Sequence, residues 1–138
     1  MLKTNQSRDI EADAFAQALQ LCERIAQGVL PFDEAVRTLA DSGAVLGVAK
    51  LLADRLGLTV VTIHSALANE SDEPAIVACR AAGMTLEGYS AVLGMRRRNR
   101  LGFDQDPTRS LKAYRRLTPE GAKSLVPRLE TACGTVKR

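Results

Sequence analysis

The sequence predicts an all-α fold of about seven to eight short helices, stacked as helical hairpins in a solenoid-like array or a compact bundle. Apolar residues recur at three- and four-residue spacing along most of the 138-residue chain, as they do on the buried face of a helix. The apolar runs are separated by Gly, Pro, Ser, Thr and Asp, which are the residues that begin and end helices. We expect a single domain over residues 1–138, with repeat-like hairpins at about 44–68 and 75–101 and a loose tail at about 134–138.

The composition is that of an ordinary globular protein. Hydrophobic residues make up 46% of the chain and charged residues 25%, with 10 Gly and 5 Pro, which excludes collagen-like, low-complexity and disordered classes. There is no run of about 18 apolar residues, so no transmembrane helix and no membrane insertion are expected. The N-terminus lacks an apolar signal segment, and the three widely spaced cysteines (Cys22, Cys79, Cys133) indicate reduced thiols. We therefore expect a cytoplasmic protein.

Glycines end the first three predicted helices. The first helix runs from about residue 10 to Gly28, and the second begins at Pro31 and ends before Gly43. The third covers about residues 44–56 and ends at Gly57. A glycine just past the last apolar residue is typical of a left-handed helix terminus, so these boundaries follow from local backbone chemistry.

The fourth helix is predicted to begin after Thr59, whose hydroxyl is suited to an N-cap. The run from Val60 to Ile63 also has high β propensity, because it contains three β-branched apolar residues and a threonine. No second run of this kind exists to pair with it. The sequence therefore favours a helix here.

Four further helices are predicted in the second half of the chain. The fifth covers about residues 75–82 and ends at Gly83, and the sixth ends in a basic run before Gly102. Pro127 lies inside the eighth helix and is expected to kink or shorten it. The starts of these helices are marked by capping residues, mostly followed by proline: Ser71 or Asp72 with Pro74, Thr85, Asp106 with Pro107, and Thr118 with Pro119.

One helix–helix corner occurs twice, at an offset of 26 residues. In each copy a glycine (Gly57 or Gly83) is followed by an apolar residue and then by a capping threonine (Thr59 or Thr85). A corner used repeatedly is typical of helical hairpins that bury their faces against neighbouring hairpins.

The same segments carry a family resemblance. They are Leu51-Leu52-Ala53-Asp54-Arg55-Leu56-Gly57-Leu58, Ala66-Leu67, Ala78-Cys79-Arg80-Ala81-Ala82-Gly83-Met84 and Leu117-Thr118-Pro119-Glu120. Over roughly residues 44–130 the chain resembles an uncharacterised, mostly alphaproteobacterial family of all-helical, repeat-like domains of unknown function. The resemblance implies stacked helices, no assigned chemistry and no family site residues.

No catalytic or cofactor motif is present in the sequence. It contains no P-loop, no dinucleotide-binding glycine motif, no GxSxG and no HExxH. The single histidine, His64, has no evident nucleophile partner, and no close cysteine pair announces a zinc site. We therefore expect a protein that is not an enzyme and that holds no cofactor or metal.

A basic run is the clearest local signal in the sequence. Four arginines lie within five residues at the end of the sixth helix, and three cations follow at helical spacing on the seventh. If the two helices are antiparallel neighbours, both sets form one basic surface suited to carboxylate or phosphate groups. The predicted partner-binding residues are Arg96, Arg97, Arg98, Arg100, Arg109, Lys112 and Arg116.

The charge distribution and the missing chemistry favour a non-catalytic module that binds an acidic surface of another protein. Residues 1–72 contain 6 Lys or Arg and 10 Asp or Glu, whereas residues 73–138 contain 13 and 6. The alternative is a nucleic-acid-binding protein, with residues 75–98 as a helix-turn-helix-like unit. Against the alternative, the would-be recognition helix begins with Leu86-Glu87 and presents an acid to the groove. The identity of the partner and a homo-oligomeric state are left open.

Overall fold

The computed structural model describes residues 15–101 and 106–132, and the regular structure in these ranges is entirely helical. Helix α1 covers residues 15–26. It is followed by α2 (Phe32–Asp41), α3 (Val45–Leu56), α4 (Val60–Leu67), α5 (Glu73–Ala81), α6 (Leu86–Arg98), α7 (Pro107–Arg116) and α8 (Pro119–Ala132). The predicted all-α fold of seven to eight helices is confirmed, including a helix rather than a strand after Thr59. The predicted loose tail at about 134–138 lies outside the described residues.

Several helices pack mainly on partners that are distant in the sequence. α2 packs on α6 and α5 packs on α8, whereas α3 and α4 form a hairpin with each other. α5 and α6 are consecutive but share only a small contact. The two repeat-like hairpins are therefore not equivalent, and the described helices form a compact bundle instead of an open solenoid. None of these helices is both long enough and apolar enough to cross a bilayer.

The corner that occurs twice in the sequence has the same local geometry both times. Gly57 and Gly83 have positive φ angles of 71° and 86°, a backbone conformation that residues other than glycine rarely adopt. The N–H of the following apolar residue donates to the carbonyl oxygen five residues back, at 3.0 and 3.1 Å. The hydroxyl oxygens of Thr59 and Thr85 accept from the backbone N–H three residues later, at 3.1 and 3.0 Å. Local capping thus fixes the helix ends, while long-range packing differs between the copies.

Helices α7 and α8 begin at the predicted caps. The Asp106 carboxylate accepts a hydrogen bond from the Thr108 N–H at 3.0 Å, and the Thr118 hydroxyl accepts one from the Gly121 N–H at 3.0 Å. Helix α8 continues to residue 132, so Pro127 does not end it.

At the start of α5 the capping hydrogen bond is made by Ser71, one of the two predicted capping residues. The Glu73 N–H donates to the hydroxyl oxygen of Ser71 at 3.1 Å, whereas the side chain of Asp72 makes no capping hydrogen bond. Asp72 is buried, and its carboxylate contacts Arg96 in the interior instead.

A pair of buried tyrosines joins α6 to α7. The rings of Tyr89 and Tyr114 stack with centroids 4.5 Å apart and planes 2° from parallel. The Tyr114 hydroxyl donates to the carbonyl oxygen of Met84 at 2.7 Å, and the hydroxyls of Tyr89 and Ser110 lie 2.7 Å apart. Burial raises the pKa of both tyrosines. These contacts set α7 against the beginning of α6 and leave the opposite face of α7 to solvent.

Cys79 lies in the middle of the core and has a strongly altered pKa. Its side chain is fully buried in α5, and this desolvation raises the pKa of the thiol from 9.0 to about 12. A thiol with a higher pKa in the folded protein keeps its proton above the pH at which the unfolded chain releases it. The contribution of the buried, protonated thiol to the free energy of unfolding is therefore present below pH 9 and is lost as the pH rises towards 12.

We therefore expect the free energy of unfolding to fall as the pH rises from 9 towards 12, with the two buried tyrosines adding to the fall from their ordinary pKa of about 10 upwards. In Cys79→Ala the fall over this interval should be visibly shallower, although the variant is somewhat less stable at neutral pH because a buried group is lost. Urea titrations of both proteins at several pH values measure the two slopes. Equal slopes would show that the Cys79 thiol titrates normally in the folded protein.

Candidate partner-binding surface

Arg96 does not belong to the predicted basic surface. The residue is 1% exposed, and its Nη2 donates to Oδ1 of Asp72 at 2.8 Å. Its Nη1 donates to the carbonyl oxygens of Leu67 and Asn69, the latter at 3.2 Å. These bonds tie α6 to the end of α4 and to the loop that follows it. The prediction of Arg96 as a partner-binding residue was wrong, because its charge is used inside the fold.

The other three arginines at the end of α6 lie at the surface, in different settings. Arg97, Arg98 and Arg100 are exposed. Nη2 of Arg98 donates to the carbonyl oxygen of Ala40 at 2.8 Å, so its guanidinium fastens the end of α6 to α2. Arg100 follows the helix with a φ of 56°, a left-handed conformation. The end of α6 is therefore basic, but part of this charge holds helices together.

Helix α7 presents a continuous basic face to solvent. Ser110 and Tyr114 point into the core, and at about 100° per residue positions 109, 112, 115 and 116 lie about 120–180° away from the direction midway between them, on the outward side of the helix. The outward positions hold four exposed cations, which we call the α7 basic face: Arg109, Lys112, Arg115 and Arg116. Arg115 was not among the predicted residues, although its position three residues after Lys112 is a signal that it shares this side of the helix.

The requirements of the fold account for only part of this charge. Within the described parts of the chain, none of the four cations forms an ion pair. Lys112 has like-charged neighbours at i−3, i+3 and i+4, spacings at which repulsion costs about 0.2–0.5 kcal/mol per pair. Arg109 lies in the first turn of α7, where the helix dipole disfavours a cation. Arg115 and Arg116 lie at the favourable end of the helix.

The two predicted basic sets are not merged by the packing of α6 against α7. The tyrosine contacts join α7 to Met84 and Tyr89, at the beginning of α6. Arg97 lies eight residues after Tyr89, which is about 12 Å further along the helix axis. The candidate surface therefore centres on α7, with the exposed arginines at the end of α6 at a distance from it.

A shallow groove runs beside the α7 basic face. It has a volume of about 240 Å³ and is lined by Leu86 at the start of α6 and by Thr108, Leu111, Lys112 and Arg115 of α7. The two leucines of the lining are half-buried and apolar, and the two cations are exposed. This arrangement can hold an apolar side chain of a segment whose carboxylates contact Lys112 and Arg115.

The start of α6, which a helix-turn-helix would insert into DNA, is occupied by an acid from α2. The Asp33 carboxylate accepts hydrogen bonds from the backbone N–H of Thr85 at 2.8 Å and from its hydroxyl at 2.9 Å. The same carboxylate lies against Gly88, and the helix as a whole packs on α2. A recognition helix needs its first turns open to the groove. The arrangement therefore disfavours the helix-turn-helix interpretation.

Neither a search for metal-ligating clusters nor comparison with known proteins assigns a function to this surface. Within the described ranges no group of three or more His, Cys, Asp or Glu side chains could hold a metal ion. No family model, curated protein or solved structure matches the chain. The resemblance to the alphaproteobacterial domain family stays a prediction.

Proposed function

We propose that the protein is a non-catalytic helical module of the cytoplasm that binds an acidic surface of a partner protein through the α7 basic face. The observation that carries the proposal is the set of four exposed cations within residues 109–116, none of them in an ion pair with a described residue. Such a set attracts carboxylates and speeds association with an oppositely charged partner. A cytoplasmic location accords with the free thiols of Cys22 and Cys79.

The groove beside α7 supports a protein partner over a nucleic acid. Phosphate recognition needs cations, whereas Leu86 and Leu111 in the lining of the groove add contact area for an apolar side chain. Arginine is enriched in protein interfaces because it combines charge, hydrogen-bond donors and an apolar stem. The partner segment that fits is therefore amphipathic and acidic.

Charge reversal of the α7 basic face tests the proposal. In the variant Arg109→Glu/Lys112→Glu/Arg116→Glu we expect affinity capture of the partner protein from cell extract to be lost. The melting temperature should change little, because the three side chains are exposed and because a Glu at position 109 gains about what a Glu at position 116 loses against the helix dipole. Capture followed by mass spectrometry, together with thermal unfolding, measures both quantities.

The matched control is Arg24→Glu/Arg37→Glu/Arg128→Glu, which reverses three exposed cations on α1, α2 and α8 and changes the net charge equally. The control should capture the same partner as the unmodified protein. Equal loss in both variants would contradict the proposal by showing that overall charge alone governs binding. Salt-sensitive duplex DNA binding that only the α7 variant loses, with no protein captured, would establish the nucleic-acid alternative.

A further inference from the structure

A second cavity lies on the other flank of α7, between α5, α7 and α8. Its volume is about 350 Å³, and apolar residues of all three helices line it. Ile76 and Val77 of α5 are buried, Leu125 of α8 is half-buried, and Ala113 of α7 is exposed. The apolar wall therefore reaches from the core to the surface and can receive an apolar side chain of a bound segment.

The cavity and the shallow groove lie on opposite flanks of α7. Four residues of α7 line the groove, and three residues within the helix line the cavity. The two sets are Thr108, Leu111, Lys112 and Arg115 for the groove, and Arg109, Ser110 and Ala113 for the cavity. At about 100° per residue, their mean directions lie about 150° apart around the helix axis. A single segment can therefore place apolar side chains on both flanks only if it crosses α7.

Cations form the ridge that such a segment crosses. Lys112 and Arg116 lie between the two mean directions, and Arg109 lies at the edge of the cavity. Within the described residues, no ion pair neutralises any of the three. On the far side of the cavity, Glu73 at the start of α5 is exposed and has the opposite charge. A carboxylate is therefore attracted to the ridge and repelled beyond the cavity, which limits where the acidic residues of the segment can lie.

The width of the ridge determines the spacing of the apolar side chains. An α-helix with its side chains is about 10–12 Å across, so the segment needs about that length between the two flanks. In an extended segment, residues i and i+4 are about 13 Å apart and point to the same face, with residue i+2 between them. A helix laid across α7 would touch the convex ridge only near the crossing point. The extended conformation is the one that reaches both flanks.

We propose that the acidic segment of the partner crosses α7 in an extended conformation, with the pattern apolar-x-acidic-x-apolar. One apolar side chain enters the cavity between α5, α7 and α8, and the other contacts Leu86 and Leu111 in the groove. The acidic side chain between them contacts Lys112 and Arg116. This mode of binding rests on the proposed function, since it concerns the partner of the α7 basic face, and it adds a second apolar anchor with a fixed spacing.

Two peptides of equal composition test the spacing by NMR titration of the full chain. Acetyl-Gly-Leu-Ser-Glu-Ser-Leu-Gly-amide has the proposed pattern and should cause saturable chemical-shift changes on both flanks, at Val77 and at Leu111. In acetyl-Gly-Leu-Glu-Ser-Ser-Leu-Gly-amide the acid faces away from the ridge, and the affinity should fall by about two- to fivefold, as expected for an exposed charge pair. Equal affinity for the two peptides would overturn the proposal. Changes on one flank only, or no saturable change up to millimolar peptide, would also overturn it.

Two variants narrow one flank each and keep all four cations of the α7 basic face. Ala113→Leu fills part of the cavity from an exposed position, and Thr108→Leu does the same in the groove. Each should weaken the first peptide and remove the shift changes on its own flank. Ala16→Leu, on the exposed side of α1, should leave peptide binding unchanged. Undiminished peptide binding to both flank variants would overturn the proposal.

Capture of the partner from cell extract separates this mode of binding from the proposed function. Ala113→Leu and Thr108→Leu should each reduce capture, although the charge of α7 is unchanged. Capture that both of these variants retain and that the charge-reversed variant loses would overturn the crossing and leave the proposed function in place. Capture that the charge-reversed variant retains would instead contradict the proposed function.

Discussion

Replacement of Arg96 by alanine is expected to lower the free energy of unfolding by about 3–5 kcal/mol, because it leaves the buried Asp72 carboxylate without its partner. The guanidinium also donates to the carbonyl oxygens of Leu67 and Asn69, which would lose these donors. The loop between α4 and α5 depends on these contacts, so its amides should lose protection from hydrogen exchange. Urea denaturation followed by circular dichroism measures the change in stability.

Two comparison variants separate the buried pair from a general effect of losing an arginine. Arg116→Ala, on the exposed end of α7, should change the free energy of unfolding by no more than about 0.5 kcal/mol. The double variant Asp72→Leu/Arg96→Met should be more stable than Arg96→Ala, because no unpaired charge stays in the core. A loss of less than about 1 kcal/mol in Arg96→Ala would contradict the buried pair, since such a value is typical of exposed pairs.

Gly88→Ala is expected to destabilise the protein by about 1–3 kcal/mol, as overpacking of a close contact does. This is opposite to the gain of up to about 1 kcal/mol that alanine ordinarily brings within a helix. A Cβ atom at position 88 would lie 2.8 Å from Cγ of Asp33 and 2.9 Å from Cε of Met84. Asp33 would have to move, and its two hydrogen bonds to Thr85 would be broken. Chemical denaturation measures the effect.

The control for Gly88→Ala lies in the same helix. A Cβ at Gly94 would meet only Nη1 of Arg98, at 3.2 Å, and a shift of a few tenths of an ångström relieves this contact while Nη2 keeps its hydrogen bond to Ala40. Gly94→Ala should therefore leave stability unchanged or raise it by up to about 1 kcal/mol. Effects of the same sign and size at both positions would show that Gly88 serves backbone conformation and not the contact of α6 with α2.

The helix boundaries were predictable because they depend on neighbouring residues. Gly57 and Gly83 end helices through their own backbone freedom, and Thr59 and Thr85 start the next helices through their own hydroxyls. None of these devices needs a distant partner. The packing of α5 on α8 and of α2 on α6 depends on faces far apart in the chain, and local patterns carry no information on which faces meet.

Arg96 was misassigned for the same reason, because its partner is distant in the sequence. The sequence nevertheless contained one indication that Arg96 is buried. Within the run of arginines all side chains look alike, yet Arg96 follows Tyr89 by seven residues and Leu93 by three. These spacings place it on the buried side of α6. The local spacing does not reveal the acid that pairs with Arg96, because Asp72 lies 24 residues earlier, in a loop. The predicted exposure of Arg109, Lys112 and Arg116 is confirmed, since α7 alone determines it, and their role in binding a partner stays a prediction.

Site-specific photo-crosslinking in the native cell tests most directly whether the α7 basic face is the protein-binding surface. A photoreactive amino acid replaces Lys112, and in a parallel strain it replaces Arg37, an exposed cation on α2. The proposed function predicts a crosslink from position 112 to an acidic segment of one protein, and no such crosslink from position 37. Crosslinking of the same protein from position 37 alone, or of nucleic acid alone from position 112, would contradict it.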